Sequence, residues 1–568
     1  MIPPSWEAGS SKSPAPFPVS TAAAAAALVL LALLLASGDS ATATWSLRAA
    51  VSAAGHPSPP PGAEGESSAA FASSRRTPPW ADHVPLAEAL DRVATLAVDD
   101  LAGGFAGADF APRLRLALPE CVQEGFEYRL DAELQRPDGS PLLPEEARPH
   151  FVGARFGGAR FAARVPFVKS SDGGSLVAVL RVPLSQDGGG EVSAAGAFAG
   201  SAELQAFALE GRYFATGFKT ERFTRRHDFP TLTTRVARDC RGADKLGSSQ
   251  RASLRERGAS RRCSVAAGDY SLTAWDGFWA RVDACAPSFC GGLGRISAAA
   301  QGEADAAFPR FWVYRQWRCT FDVFSVDEAQ RCLEGRKILF SMDSNGPHTL
   351  VNLVGVVLNA TPSPVVRKGI VREFASHATF LGPRSGNISV AISYNGHPDV
   401  EHYHEGLSTV LTPAFAARHA AAVAAFGGGP AFLTVVNSGL HDLALKFDPA
   451  FFAAALPRAL DVYDRLDGTE RSALAPFRVW RTSVAPAGDA RTRFGNPQTI
   501  EILNAVSTPL VLERAAPPWH VVDEYDMTFP FCFDNRFSDG GHYGEPGKAN
   551  FIDIMLIHVY LTLVCDAA

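Results

Sequence analysis

The chain has nine cysteines and fourteen histidines, yet no CxxC pair and no histidine spacing suited to zinc. That excludes the common structural zinc modules. It also lacks a charge imbalance. Its 53 basic and 59 acidic side chains leave a net charge of −6, which gives no reason to expect nucleic acid as a partner. Long apolar runs are scarce too. Val19–Ser37 is an uncharged one, behind a segment whose only charged side chains are Glu7 and Lys12. It suits either a signal-peptide core or a single membrane-spanning anchor, and Ala41-Thr42-Ala43 offers a small-x-small cleavage site. The Lys548–Val564 run carries Asp553 and His558 in its middle, which predicts a buried core helix rather than a second span.

What is present points to the secretory pathway. The cysteines (Cys121, Cys240, Cys263, Cys285, Cys290, Cys319, Cys332, Cys532 and Cys565) are irregularly spaced, which favours disulfides over metal. An odd count leaves at least one thiol free or bonded to another chain. Two N-glycosylation sequons, at Asn359 and Asn387, fit a lumenal location.

The 568 residues suggest two or three domains. Residues 1–43 read as the signal peptide or anchor. Residues 44–104, rich in Pro, Ala and Gly, read as a disordered stalk. Residues 105–239 hold short alternating runs such as Phe161–Val165 and Leu176–Leu180, separated by turn signals such as Pro137-Asp138-Gly139. That predicts a small antiparallel β-sandwich. Residues 240–305 form a basic, cysteine-containing connector. Residues 306–568 alternate strands (Lys337–Ser341, Ile388–Tyr394, Phe432–Val436) with helices (Ser325–Glu334, Pro413–Phe426, Pro449–Leu466). This rhythm predicts a doubly wound parallel sheet with its ligand site at the strands' carboxyl ends.

Three places in that last segment carry chemistry. In GRKILFSMDSNGPHTLVNLV (Gly335–Val354) an apolar strand breaks at Asp343-Ser344 before a new apolar run, the way a nucleophilic serine is presented on a strand–turn–helix. In Phe432–His441 a second strand breaks at Asn437-Ser438-Gly439. There Asn437 offers a side-chain amide to an oxyanion, and Gly439 permits close approach of the backbone. In Asp539-Gly540-Gly541-His542, the imidazole can face Ser344 while the carboxylate fixes its tautomer. Asp343 and Ser344 also suit a plain helix cap, and Asn-Ser-Gly a plain turn. A metal site from His397, Asp399, His402 and His404 is conceivable, but a polar loop beside the cleft is the preferred reading, with no metal expected.

With these residues in view, the segment from Trp275 onward resembles the SGNH-like PC-esterase group, which includes plant trichome-birefringence-like and animal NXPE-type proteins. Trp317-Arg318-Cys319 precedes Cys332–Phe340, similar to the family's run into its GDS motif, here Met342-Asp343-Ser344. Asn437–His441 resembles its NTGxH-type block, Val479-Trp480-Arg481-Thr482 its arginine-bearing strand, and Asp539–His542 its terminal DxxH. The resemblance implies an SGNH-hydrolase-like fold and a Ser344–His542–Asp539 triad. It implies oxyanion or substrate contacts from Asp343, Asn437, Gly439, His441 and Arg481. It also implies glycan O-acetyl transfer or ester hydrolysis in the Golgi lumen or outside the cell, with an acetyl donor but no bound cofactor. Met342 stands where the family has glycine, and Asn345-Gly346-Pro347-His348 stand where its arginine follows. These departures keep a second expectation open: an inactive SGNH-like domain that binds glycans or mediates adhesion.

Overall fold

The computed structural model describes residues 111–147, 150–169, 175–183, 198–216, 219–237, 240, 262–270, 276–281, 312–360, 375–381, 386–395, 406–424, 431–445, 449–466, 477–487, 496–514, 518–533, 537–538, 540–544 and 550–565. The apolar Val19–Ser37 run, the proline-rich stalk, the 397–404 histidine cluster and Asp539 lie outside them. Two sheets organise what is described.

The second sheet positions the site. Its strands are β12 (Lys337–Met342), β13 (Ala375–Leu381), β14 (Asn387–Tyr394), β15 (Leu433–Val436), β16 (Phe477–Arg481) and β17 (Trp519–Val522), in the spatial order β13-β14-β12-β15-β16-β17. All neighbours are parallel except β13, which runs antiparallel along one edge. Strands β12, β14, β15 and β17 are buried along almost their whole length, as a sheet covered on both faces requires. On one face, Leu339 and Ala391 pack against Ala422 of the Pro413–Ala424 helix. On the other, Met342 and Ile392 crowd Gly346 at the start of the Gly346–Asn352 helix. The five parallel strands therefore run 2-1-3-4-5 in their own chain order. The chain leaves β12 towards one edge for β14, then crosses to the other side for β15. The carboxyl ends of β12 and β15 flank this switch, where open α/β sheets bind ligands.

The first sheet is built from β1 (Arg113–Leu116), β2 (Cys121–Gln123), β3 (Glu127–Gln135), β4 (His150–Gly158), β5 (Phe161–Lys169), β6 (Ser175–Arg181), β7 (Gly200–Thr216), β8 (Lys219–Asp228), β9 (Leu232–Ala237), β10 (Gly277–Arg281) and β11 (Trp312–Gln316). Two features depart from an antiparallel sandwich. It is one continuous, curled sheet, and β2 pairs β9 in parallel. The curl turns on β5, which pairs β4 and β10 through its first half and β6 after Pro166. Proline has no N–H to give the ladder, and Pro166 sits exposed where the partner changes.

The two sheets share a core. Trp279 of β10 donates its indole N–H to the Met527 carbonyl at 2.8 Å, and Tyr314 of β11 donates to Asp526 at 2.6 Å. Phe207 stacks on Phe529 and meets Phe533 edge-on, and Arg155 donates to the Pro530 carbonyl at 2.9 Å. Disulfides join Cys121 to Cys240, Cys263 to Cys319 and Cys332 to Cys565, as an oxidising, secretory-type environment would allow, while Cys532 is a buried free thiol. The Asn550–Cys565 helix is almost wholly buried, so the aspartate and histidine within it mark a core helix as expected. Among the described residues, no helix is long and apolar enough to cross a membrane.

Candidate active site

Ser344 follows β12 by two residues and is half-buried. Its Oγ lies 2.7 Å from Nε2 of His542, a short O–H···N distance. The two residues are 198 apart in sequence, so only the fold brings them together. The ring of His348, one turn into the helix after Ser344, packs against that of His542 with centroids 5.3 Å apart. Asp539, the carboxylate assigned to His542, lies outside the described residues.

The turn itself is fixed by Asp343. This residue is 1% exposed. Its Oδ1 accepts the Asn345 N–H at 2.9 Å, an Asx-type turn that starts the following helix. Asn437 closes on it from the end of β15: its Oδ1 accepts the Asp343 N–H at 3.0 Å and its Nδ2 donates to Asp343 Oδ2 at 3.1 Å. The two strand ends are thus tied into one unit. The sequence offers the Asn437 amide to an oxyanion; in the structure both ends of that amide engage Asp343, which makes the pair a brace. Asn395, just past β14, donates to the Asn437 carbonyl and extends the brace to a third strand.

Gly439 has φ +135°, and a Cβ there would stand 2.6 Å from Ser483 Oγ, so both conformation and space require glycine. The turn it permits brings His441 to the serine as well. His441 Nε2 is 3.5 Å from Ser344 Oγ, and its Nδ1 is 3.4 Å from the hydroxyl of Tyr394. His441 is 4% exposed and Tyr394 8%. Asp442, next in the chain, accepts from Ser438 Oγ at 2.6 Å and from the Leu407 N–H at 2.7 Å. Burial raises its pKa against those hydrogen bonds.

Arg481 does not reach the serine. The resemblance casts it as a substrate contact, but it lies buried beneath the helix that follows Ser344. Its guanidinium grips Glu524 with two donors, donates to Thr349 Oγ1 at 2.8 Å, and lies 3.8 Å from Asp553 and from Met342 Sδ. Asp553 in turn accepts from Thr349 at 2.7 Å and Asn352 at 2.8 Å. Burial would lower the Arg481 pKa, but Glu524 and its neighbours outweigh it and hold the guanidinium charged. Burial pushes the Glu524 carboxyl up to about 7 against the pull of Arg481.

Met342, where the resembled family has glycine, is fully buried and has no positive φ. Its Sδ lies 3.8 Å from Arg481 and its Cβ faces Gly346, so this backbone holds a side chain without a left-handed conformation. Sequence reasoning missed Tyr394, Asn395, Thr349 and Asn352, and weighed Asp553 only as a charge inside an apolar helix. Their only signal was position, just past or within apolar runs. Among the described residues, one grouping is close enough to ligate a metal, Cys263, Asp269 and Cys319, and its two sulfurs are already joined to each other. Neither a scan against protein-family models nor a search of the curated proteins finds a match for this chain.

Proposed function

We propose that this protein is a lumenal or extracellular acyl-transfer enzyme acting on O-acylated glycans, with Ser344 as nucleophile and His542 as general base. The observation that carries this is the 2.7 Å approach of His542 Nε2 to Ser344 Oγ at the switch point of a parallel sheet. Ser344 Oγ attacks the acyl carbon and passes its proton to His542. The ester C–O bond then breaks, and the leaving sugar oxygen takes that proton back. A second sugar hydroxyl, or water, is deprotonated in the same way and resolves the acyl-enzyme. Asp539 is assigned the role of orienting His542. The SGNH-like fold and the glycan substrate rest on the resemblance of Met342-Asp343-Ser344, Asn437–His441 and Asp539–His542 to the PC-esterase motifs. The disulfides support the lumenal or secreted setting.

The test is labelling with a serine-directed fluorophosphonate, comparing wild type with Ser344→Ala and His542→Ala. The expected result is a labelled wild type and two unlabelled variants of unchanged thermal stability. A well-folded wild type that takes no label favours the second reading, a glycan-binding or adhesion protein.

A further inference from the structure

Asn437 commits its Oδ1 and one of its two Nδ2 hydrogens to Asp343, and a second imidazole stands beside the serine. Ser344 Oγ is flanked by two Nε2 atoms, His542 at 2.7 Å and His441 at 3.5 Å. A serine hydroxyl has one proton to give. The shorter contact takes it: at 2.7 Å an O–H···N bond to His542 is well formed, whereas 3.5 Å is at the edge of bonding. Towards His441, Oγ then presents lone pairs, so His441 Nε2 must carry a hydrogen to face it without repulsion. A neutral imidazole holds one ring proton, which leaves Nδ1 as an acceptor. The Tyr394 hydroxyl faces Nδ1 at 3.4 Å and can donate to it. One arrangement satisfies all three contacts, with opposite tautomers on the two histidines.

We propose, resting on the acyl-transfer reading above, that His441 is a second catalytic residue, an Nε2–H donor to the developing oxyanion, and that Tyr394 is the positioning residue that fixes its tautomer. In the step concerned, the Ser344 Oγ–C bond forms and the Oγ proton moves to His542. The carbonyl π pair moves onto oxygen, and that oxygen receives a hydrogen bond from His441 without proton transfer. Collapse returns the pair to the carbonyl and breaks the ester C–O bond, with His542 protonating the leaving oxygen. The burial of both His441 and Tyr394 suits this, because a donor in a dry site stabilises charge more strongly than one in water. The position of Tyr394 suits it too: it pairs in register with Met342 on the neighbouring strand, so its hydroxyl is held by the same sheet as the nucleophile.

The test uses the full-length protein, with p-nitrophenyl acetate as substrate and the fluorophosphonate as probe. His441→Ala is expected to lose about 10²–10³-fold in kcat with little change in KM. His441→Gln, which keeps an N–H donor, should recover part of that loss, and Tyr394→Phe should lose less than His441→Ala. Selective ¹⁵N-histidine NMR, with the His441→Gln spectrum subtracted, reads the tautomer without any turnover. An Nε2–H imidazole is expected in wild type and a tautomer mixture in Tyr394→Phe. An active wild type with His441→Ala turning over normally, or with His441 in the Nδ1–H form, overturns the donor assignment and leaves the Ser344–His542 reading standing. A folded wild type that neither labels nor turns over overturns both.

Discussion

Met342 and Gly439 show how single side chains are constrained around the serine. Met342 fills space beneath the turn, against Arg481 and close to Gly346. Restoring the resembled family's glycine there removes a fully buried side chain, so Met342→Gly should cost roughly 2–5 kcal/mol, read by urea denaturation, with no gain in turnover. Gly439→Ala combines a backbone conformation that L-residues avoid with a 2.6 Å approach to Ser483 Oγ. It should lower stability and also displace His441, so fluorophosphonate labelling and thermal melting should fall together. A variant that melts lower but labels normally would show that the turn yields without moving the imidazole.

Among the elements, the helix after Ser344 is held from below by a buried charge network rather than by capping alone. Arg481 from β16 and Asp553 from the Asn550–Cys565 helix meet at Thr349, and Glu524 from the Glu524–Thr528 helix holds Arg481. Removing one member leaves a buried charge without its partner, so Arg481→Met should destabilise by about 3–5 kcal/mol. The Arg481→Met, Glu524→Gln double variant should recover part of this, giving a measurable coupling in a double-mutant cycle. The Cys332–Cys565 disulfide pins the end of the Val326–Leu333 helix to the end of the C-terminal helix across 233 residues of sequence. Replacing both cysteines with serine should cost about 2–5 kcal/mol in chemical denaturation.

For the molecule as a whole, buried titratable groups set the response to acid. His558 sits inside the C-terminal helix, with its Nδ1 accepting the Phe324 N–H at 3.3 Å, and burial lowers its pKa to about 3. The unfolded chain binds a proton at this residue from about pH 6.5 downward, while the folded chain does not until about pH 3. This contribution to stability is therefore lost as pH falls through that window. Burial pushes Asp526 up to about 7, which acts with the opposite sign and favours the folded state as pH falls. The clean readout is the difference between wild type and His558→Gln across pH 3–7: the variant should show a flatter acid limb. Parallel curves would mean that His558 does not set it.

The amino-acid sequence by itself determined the strand–turn elements of the second sheet and singled out Ser344 and His542 as the candidate pair. Apolar runs ending at Asp343-Ser344 and at Asn437-Ser438-Gly439 marked strands that stop at polar turns, because a parallel strand covered on both faces must be apolar along its length. Those strands are present, and so is the Pro449–Leu466 helix at the bounds its periodicity predicts. His542 could be named because few residue types activate a serine. Tertiary structure alone decided the rest. Strand order places β15 beside β12 and so lets Asn437 reach Asp343, a contact across 94 residues that no local pattern encodes. The curl of the first sheet depends on which partner β5 takes after Pro166. The burial of Arg481 depends on carboxylates brought in by later helices, since a sequence shows that an arginine follows a strand but not whether a counter-ion awaits it inside. Hydrophobic periodicity is local and is written residue by residue. Pairing between distant polar groups is a property of the packed chain.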